Sequence, residues 1–251
     1  MTLSISGRIR KRLADLLWPH VCPTLPVLPP TTFAADGLTT EHASAFLDDP
    51  LFRRAYAAGE ATGSWFGMDI RWRAYVVCWA ARRGQFLGGD FVECGVNRGG
   101  YSRMLAEYVD LASMPGRKLY LIDTYRGLPE EFDDSEYRHP PGTYTDCYDD
   151  VVRTFAPFPN AVIIRGAIPP VLAKVQPERV CYLSIDLNCV APSIRAAEHF
   201  WPRMTGGAIM VLDDYGFLVY HDQKAAFDDF ARSQGTEVLS LPTGQGLLIK
   251  P

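Results

Sequence analysis

The chain has 251 residues, enough for one large α/β domain and a small addition. Hydrophobic residues make up 47% and charged residues 22%, and the formal net charge is −4, the balance of a globular protein rather than a disordered or fibrous one. Basic residues gather only at Arg8, Arg10, Lys11 and Arg12, too few for a nucleic-acid surface, and no run of 18 apolar residues is present to span a membrane.

The six cysteines, at positions 22, 78, 94, 147, 181 and 189, form no CxxC pair and no regular framework. They read as buried thiols in a reducing, cytoplasmic compartment. The basic N-terminus lacks a small-residue cleavage site and Asp15 interrupts its apolar part, so a signal peptide is not expected.

Residues 3 to 18 place Leu3, Ile5, Ile9, Leu13, Leu16 and Leu17 among basic residues, the pattern of an amphipathic helix. Such a helix packs on its own domain or on a second subunit, or lies on a membrane surface or partner. Pro19, Pro23, Pro26, Pro29 and Pro30 then predict an extended linker over 19 to 40. This divides the chain into an N-terminal helix and linker (1–40) and a main domain (41–251), and the first part is suited to reaching a second subunit in a homodimer.

From Thr40 to Gly63 the helical signal is weak; from Ile70 to Arg83 it is strong, with Tyr75, Val76, Trp79 and Ala80 at helical spacing. Strands and helices then alternate. Strands are expected at Phe91–Cys94, Leu119–Asp123, Ala161–Gly166, Val180–Asp186 and Gly207–Asp213. Helices are expected at Tyr101–Ala112, Tyr148–Phe155, Ile168–Val175, Pro192–Met204 and Gln223–Gln234. Several strands are nearly continuous apolar runs, as parallel strands covered on both faces require. The pattern predicts a Rossmann-like, doubly wound, mostly parallel sheet of seven strands. The last two strands, Glu237–Leu241 and Leu247–Lys250, have only Pro242-Thr-Gly-Gln-Gly246 between them, so they pair antiparallel. One reversed strand near the C-terminus distinguishes class I methyltransferases from dinucleotide dehydrogenases. The segment from Tyr125 to Cys147 is too long for an ordinary strand-to-helix loop and reads as a lid over the ligand edge.

The candidate chemistry sits at the carboxyl ends of these strands, where ligands bind in such sheets. Asp90-Phe-Val-Glu-Cys-Gly-Val-Asn-Arg-Gly-Gly100 is a buried strand ending in an acid and entering a glycine turn before a helix. Its spacing, G-x-x-x-G-G, differs from the dinucleotide fingerprint G-x-G-x-x-G. Glu93, Gly95, Asn97 and Gly99 form a cradle for the methionine end of S-adenosylmethionine, and Ser102 lies in the helix that follows. Asp123 is placed for ribose hydroxyls with Thr124 beside it, and the small residues Gly166 and Ala167 leave room for an adenine. Asp186 ends one strand and Asp213-Asp214 another. If those strands are neighbours, three carboxylates meet at about the 4.8 Å inter-strand spacing. Oxygen-only ligands suit Mg²⁺, Mn²⁺ or Ca²⁺ rather than zinc. Each of these acids also has a plainer reading as a cap or turn residue. His139, in the lid segment, and His221 are the histidines best placed for acid–base work.

These motifs, with Ile122-Asp-Thr-Tyr-Arg-Gly-Leu-Pro129, Leu183-Ser-Ile-Asp186 and Val211-Leu-Asp-Asp-Tyr-Gly216, resemble the macrocin-type O-methyltransferases of antibiotic sugar tailoring over roughly residues 67 to 250. The resemblance implies S-adenosylmethionine-dependent methyl transfer, with a bound divalent cation, to a hydroxyl of a small-molecule natural product or glycosyl unit. By motif, Glu93, Gly95 and Asp123 become cofactor residues. Asp186, Asp213 and Asp214 become metal ligands, with Asp186 also the base; His139, from its place in the lid segment and not by motif, is a second catalytic candidate. Two departures stand out. The family follows its fourth strand with D-G-D and Tyr-Glu-Ser/Thr, where this chain has Asp186-Leu-Asn-Cys-Val-Ala-Pro-Ser193. The family's aromatic residue after the third-strand glycine is Ala167 here. The alternatives are a metal-independent enzyme of the same fold with a histidine base, a non-catalytic cofactor-binding partner subunit and, furthest from the pattern, a dinucleotide oxidoreductase.

Overall fold

The structure, a computed structural model, describes residues 31–128 and 144–251. The chain divides into two units, Met1–Ser44 and Ala45–Pro251. Within the first, β1 (Phe33–Ala35) and β2 (Leu38–Thr40) pair antiparallel. Asp36 and Gly37 join them at φ values of 52° and 74°, the two positive angles that a type I′ turn demands. The extended linker expected to reach residue 40 is therefore corrected: residues 33 to 40 are a hairpin built on an Asp-Gly turn. The predicted helix over 3 to 18 and His139 lie outside the described residues.

The second unit opens with α1 (Pro50–Glu60), which has proline in its first turn and Asp49 as its cap, Oδ1 accepting the Leu51 N–H at 2.7 Å. After α2 (Arg71–Gln85) the alternation begins: β3 (Asp90–Cys94), α3 (Gly100–Tyr108), β4 (Leu119–Asp123), α4 (Tyr148–Phe155), β5 (Ala161–Arg165), β6 (Val180–Ile185), α5 (Val190–Phe200), β7 (Met204–Leu212) and α6 (His221–Ser233). Two short strands finish it, β8 (Leu239–Ser240) and β9 (Gly246–Ile249). Several boundaries shift from the sequence reading, and the helices show the clearest differences. The helix expected to run to Ala112 stops at Tyr108, because Asp110 takes a left-handed conformation at φ 53°. The helix expected to end at Met204 gives way to a 3₁₀ turn at Trp201–Arg203, which contains Pro202. The short helix expected over Ile168–Val175 is a 3₁₀ turn at Pro170–Lys174.

The seven-stranded sheet has the order β5-β4-β3-β6-β7-β9-β8, and β9 alone runs antiparallel to its neighbours. Strands β3 to β7 pair in parallel, and side chains alternate between the two faces. Phe91, Leu121 and Tyr182 join one core with Phe52, Val77 and Met104 of the helices on that side. Val92, Leu183 and Met210 join the other with Phe200 and Phe227. Each such fully buried side chain contributes about 2 kcal/mol of apolar burial. From β3 the chain builds outward to β4 and β5, then returns to lay β6 against the other edge of β3. The order reverses between β3 and β6, which opens a crevice at their carboxyl ends.

Candidate active site

A cavity of about 220 Å³ fills that crevice. The register aligns its walls. Cys94 is abreast of Ile122 on one side and Ile185 on the other, and Ile185 is abreast of Leu212. The next residue of each strand, namely Gly95, Asp123, Asp186 and Asp213, therefore emerges side by side at the same edge.

Gly95 sits where Asp186 presses closest. Its φ is +89°, and a Cβ there would stand 1.7 Å from the Asp186 carbonyl oxygen. Glycine is required because two strand ends converge on it, not only because a ligand needs room. The turn is then fixed from the neighbouring strand. Asp123 Oδ2 accepts the N–H groups of Val96 at 2.6 Å and Asn97 at 2.7 Å, and Oδ1 accepts that of Tyr125 at 2.7 Å. Charge-assisted bonds of this kind are about twice as strong as neutral ones. The start of α3 is also occupied, since the Gly100 N–H donates to Ser64 Oγ at 2.9 Å.

Glu93 is buried in the cavity wall and accepts from the Ser102 hydroxyl. Burial raises its pKa to about 8, reinforced by the negative charges of Asp123 and Asp213 and opposed by the Ser102 bond. Asn97, Thr124, Gly166 and Ala167 also line the cavity, as expected. Two expected contacts are corrected. Gly99 packs against Phe155, where a Cβ would lie 2.8 Å from the ring, and Ser102 is spent on Glu93; neither lines the cavity.

At the other end, oxygens of Asp186, Asp213 and Asp214 lie within 4.8 Å of one another. Asp213 is held on both oxygens. Oδ2 is 2.9 Å from Arg73 Nη1, and Oδ1 accepts from the Tyr101 hydroxyl at 3.1 Å and from Gln245 Nε2 at 3.0 Å. Gln245 is itself held by the Thr243 hydroxyl, which donates to Oε1 at 3.0 Å. Asp214 is different: its Oδ2 is buried and accepts no hydrogen bond among the described residues. Burial and the charge of Asp213 raise its pKa to about 7, against the opposing pull of Arg73. Asp186, partly exposed to the cavity, is pushed well above the usual carboxylate range by burial and by Asp213 and Asp214. Asp186 and Asp214 are thus raised by neighbouring negative charge that Arg73 does not fully offset.

Asn188 stands where the resembling family has its second acid. It adopts φ 54°, accepts from the Tyr220 hydroxyl at 2.6 Å, and brings Nδ2 to 3.5 Å from Asp186 Oδ1. Tyr144 also lines the cavity, its pKa raised by burial and by the nearby Asp186 and Tyr220. His221 is corrected as a candidate base. It opens α6 with an exposed ring paired to Asp222 at 3.2 Å, and it does not line the cavity.

Sequence reasoning missed Arg73, Gln245 and Ser64. Arg73 had a signal in hindsight: it shares a helical face with Ile70, Ala74 and Val77, all buried, so a charge there needs a partner. Gln245 had none, as a glutamine between two glycines reads as a turn.

The ends of the expected lid are described. Cys147 N–H donates to the Tyr125 carbonyl at 2.9 Å, and the Tyr125 hydroxyl donates to the Leu121 carbonyl at 2.8 Å. The two described ends of the segment, at Tyr125 and Cys147, therefore meet at one point on the cavity rim. Among the described residues, no helix is long and apolar enough to cross a membrane.

Comparison with solved structures places this architecture among O-methyltransferases. The O-methyltransferase NovP superposes with a TM-score of 0.62 at 17% identity, covering 71% of this chain and 79% of that one. The apo structure of CalS11, a TDP-rhamnose 3′-O-methyltransferase of calicheamicin biosynthesis, gives 0.52 at 15%, covering 99% and 96%. An O-methyltransferase from Bacillus cereus in complex with SAH gives 0.50 at 10%, covering 80% and 91%. No curated protein matches the chain by sequence. The model of the macrocin-O-methyltransferase family, TylF, matches residues 71–239, from the helix that carries Arg73 to the eighth strand. That match spans more than half of the chain, and the protein belongs to the macrocin-O-methyltransferase (TylF) family of S-adenosylmethionine-dependent O-methyltransferases.

Proposed function

We propose that the protein is a divalent-cation-dependent O-methyltransferase acting on a hydroxyl of a small-molecule natural product or glycosyl unit. The observation that carries this reading is the set of three carboxylates within 4.8 Å of one another beside the glycine turn. Their fit to a hard cation rests on two features: all the ligand atoms are oxygens, and Asp214 keeps a buried oxygen without a donor.

S-adenosylmethionine supplies an electrophilic sulfonium methyl group. A divalent cation supplies Lewis acidity that lowers the pKa of a hydroxyl. The chain's own residues do the rest. Glu93, Gly95 and Asn97 hold the methionine end, Asp123 and Thr124 the ribose, and Gly166 and Ala167 leave space for the adenine. Asp123 does this while bracing the turn: Oδ1 accepts the Tyr125 N–H and lies 3.3 Å from the Thr124 hydroxyl, which can turn to the Gly127 carbonyl and yield its place to a ribose hydroxyl. Asp186, Asp213 and Asp214 hold the cation, and Asp186 takes the acceptor's proton. The cavity walls exclude water and hold the attacking oxygen in line with the methyl and sulfur, which supplies much of the rate. Gly99 and Ser102 support the cradle from behind. The CalS11 description favours including nucleotide-activated deoxysugars among acceptors to be tried, although Asn188 and Ala167 mark an acceptor region that differs from the family pattern.

The test is methyl transfer from S-adenosylmethionine to a panel of glycosides and nucleotide sugars, with Mg²⁺ and with EDTA. Activity with Mg²⁺ that is lost in EDTA and in Asp213→Ala supports the reading. Full activity in EDTA removes the cation from it.

A further inference from the structure

Were all three carboxylates ionised, as holding a cation requires, one guanidinium would leave the cluster two negative charges in excess. The guanidinium is that of Arg73, whose side chain is only 11% exposed. It leaves the first turn of α2, crosses to Asp213 Oδ2 at 2.9 Å and lies over the Phe217 ring at 5.5 Å. It is thus inserted into the acidic end of the cavity rather than held out in solvent. Its electrostatic pull reaches all three acids, opposing the mutual repulsion at Asp186 and Asp214 as well as pairing with Asp213. A second, independent feature marks the same acids: Asp214, 8% exposed, keeps a buried oxygen with no hydrogen-bond donor among the described residues. Arg73 satisfies one corner of the cluster and leaves the opposite corner open.

We propose that Arg73 is the resident counter-cation of the acidic cluster: it holds Asp213 in the cation-free protein and weakens the binding of a divalent cation, so that the ion exchanges readily. This rests on the cation site proposed above and adds to it a residue outside the ligand set. The physical basis is direct. A fixed positive charge bonded to one of the ligands of an incoming divalent cation opposes it even at an effective dielectric of ~20. Removing that charge leaves Asp213 buried without its ion partner, which costs stability until another cation arrives. Arg73 therefore trades cation affinity for a folded, organised site in the cation's absence.

The experiment uses the full chain and Mn²⁺ as the probe, read by electron paramagnetic resonance of free Mn²⁺ and by thermal melts with and without EDTA. Arg73→Gln should bind Mn²⁺ about ten-fold or more tightly than the wild type. It should also melt several degrees lower in EDTA and recover more than the wild type does when Mn²⁺ is added. Arg73→Lys keeps a charge but loses the planar fork and the stack on Phe217, and it covers the case in which the glutamine variant does not fold. Its affinity should fall between the other two. Mn²⁺ binding to the wild type with no gain in either variant overturns the role of Arg73 and leaves the cation site standing. No binding to any of the three proteins overturns the cation site itself, and the role of Arg73 with it.

Discussion

At the β3 end of the cavity, Asp123 accepts three backbone N–H groups at 2.7 Å or less, while at the β7 end Asp214 keeps a buried oxygen that no donor among the described residues reaches. Asp123 ends β4, Asp214 follows β7, and both face the same cavity. The first is completed by the protein, so the glycine turn is already in its ligand-ready shape before any ligand arrives. The second is left to be completed from outside. A preformed cradle suits a donor that all members of the family share, whereas an unbalanced acidic corner is what the proposed cation site requires. The comparison separates residues needed to fold the site from residues needed only to load it, and substitutions can break it in either direction.

The largest effect is expected at Gly95. A methyl group there meets the Asp186 carbonyl at 1.7 Å and must also hold φ +89°, so Gly95→Ala forces β3 and β6 apart at the crevice. We expect a loss of about 4 kcal/mol or more, seen as insoluble expression or as a melt displaced far below the wild type. Wild-type stability in this variant would mean that the strand ends are not packed as described.

Asp123→Asn keeps the size and removes the charge. Three N–H donors then compete for one amide oxygen, and an NH₂ group faces at least one of them. The expected cost is about 2–3 kcal/mol of unfolding free energy in urea, with a weakening of S-adenosylhomocysteine binding by about ten-fold or more in calorimetry. A variant that loses binding but no stability would assign Asp123 to the ligand alone and not to the turn.

Glu93 lies between the two regions, since it is satisfied by Ser102 yet raised to about pKa 8 by burial. Its folded pKa exceeds the unfolded value near 4.5, so the native state holds its proton longer. The stability this contributes is complete below about pH 4.5 and is lost as pH rises through 8. Glu93→Gln, neutral throughout, should flatten that slope and be the more stable protein at pH 8, on the order of 2 kcal/mol. Melting curves of both proteins from pH 5 to 8.5 check it; parallel pH profiles would remove Glu93 from the titration.

The sheet was legible because its strands are apolar runs that end in acids, a pattern set by burial on both faces and needing no long-range information. The reversed β9 was legible because five turn residues leave no room for a crossover. The trio of Asp186, Asp213 and Asp214 followed from the same strand ends once β6 and β7 were taken as neighbours. What the local pattern does not carry is partnership across the fold. Arg73 and Asp213 are 140 residues apart, and an arginine in an amphipathic helix looks solvated until the sheet is in place. Gln245 looks like a turn residue for the same reason. The glycine turn was recognised as a turn, yet the atoms that fill its spaces, from Asp186, Phe155 and Ser64, come from three other segments. The hairpin at 33–40 was obscured by the prolines before it, although Asp36-Gly37 is itself a hairpin signal.

Asp214→Asn makes the smallest change and the sharpest distinction. If the β7 end is held for a ligand rather than for the fold, neutralising its open acid relieves repulsion from Asp213 and Asp186 and costs no existing hydrogen bond at Oδ2. In EDTA at pH 7.5 the variant should therefore be as stable as the wild type or more so, by about 1 kcal/mol. Adding Mn²⁺ should raise the melting temperature of the wild type and leave that of the variant where it was, because stabilisation by a ligand requires that the native state bind it. The opposite pattern, a variant destabilised in EDTA and still stabilised by Mn²⁺, would make Asp214 a structural acid like Asp123 and erase the difference between the two ends of the cavity.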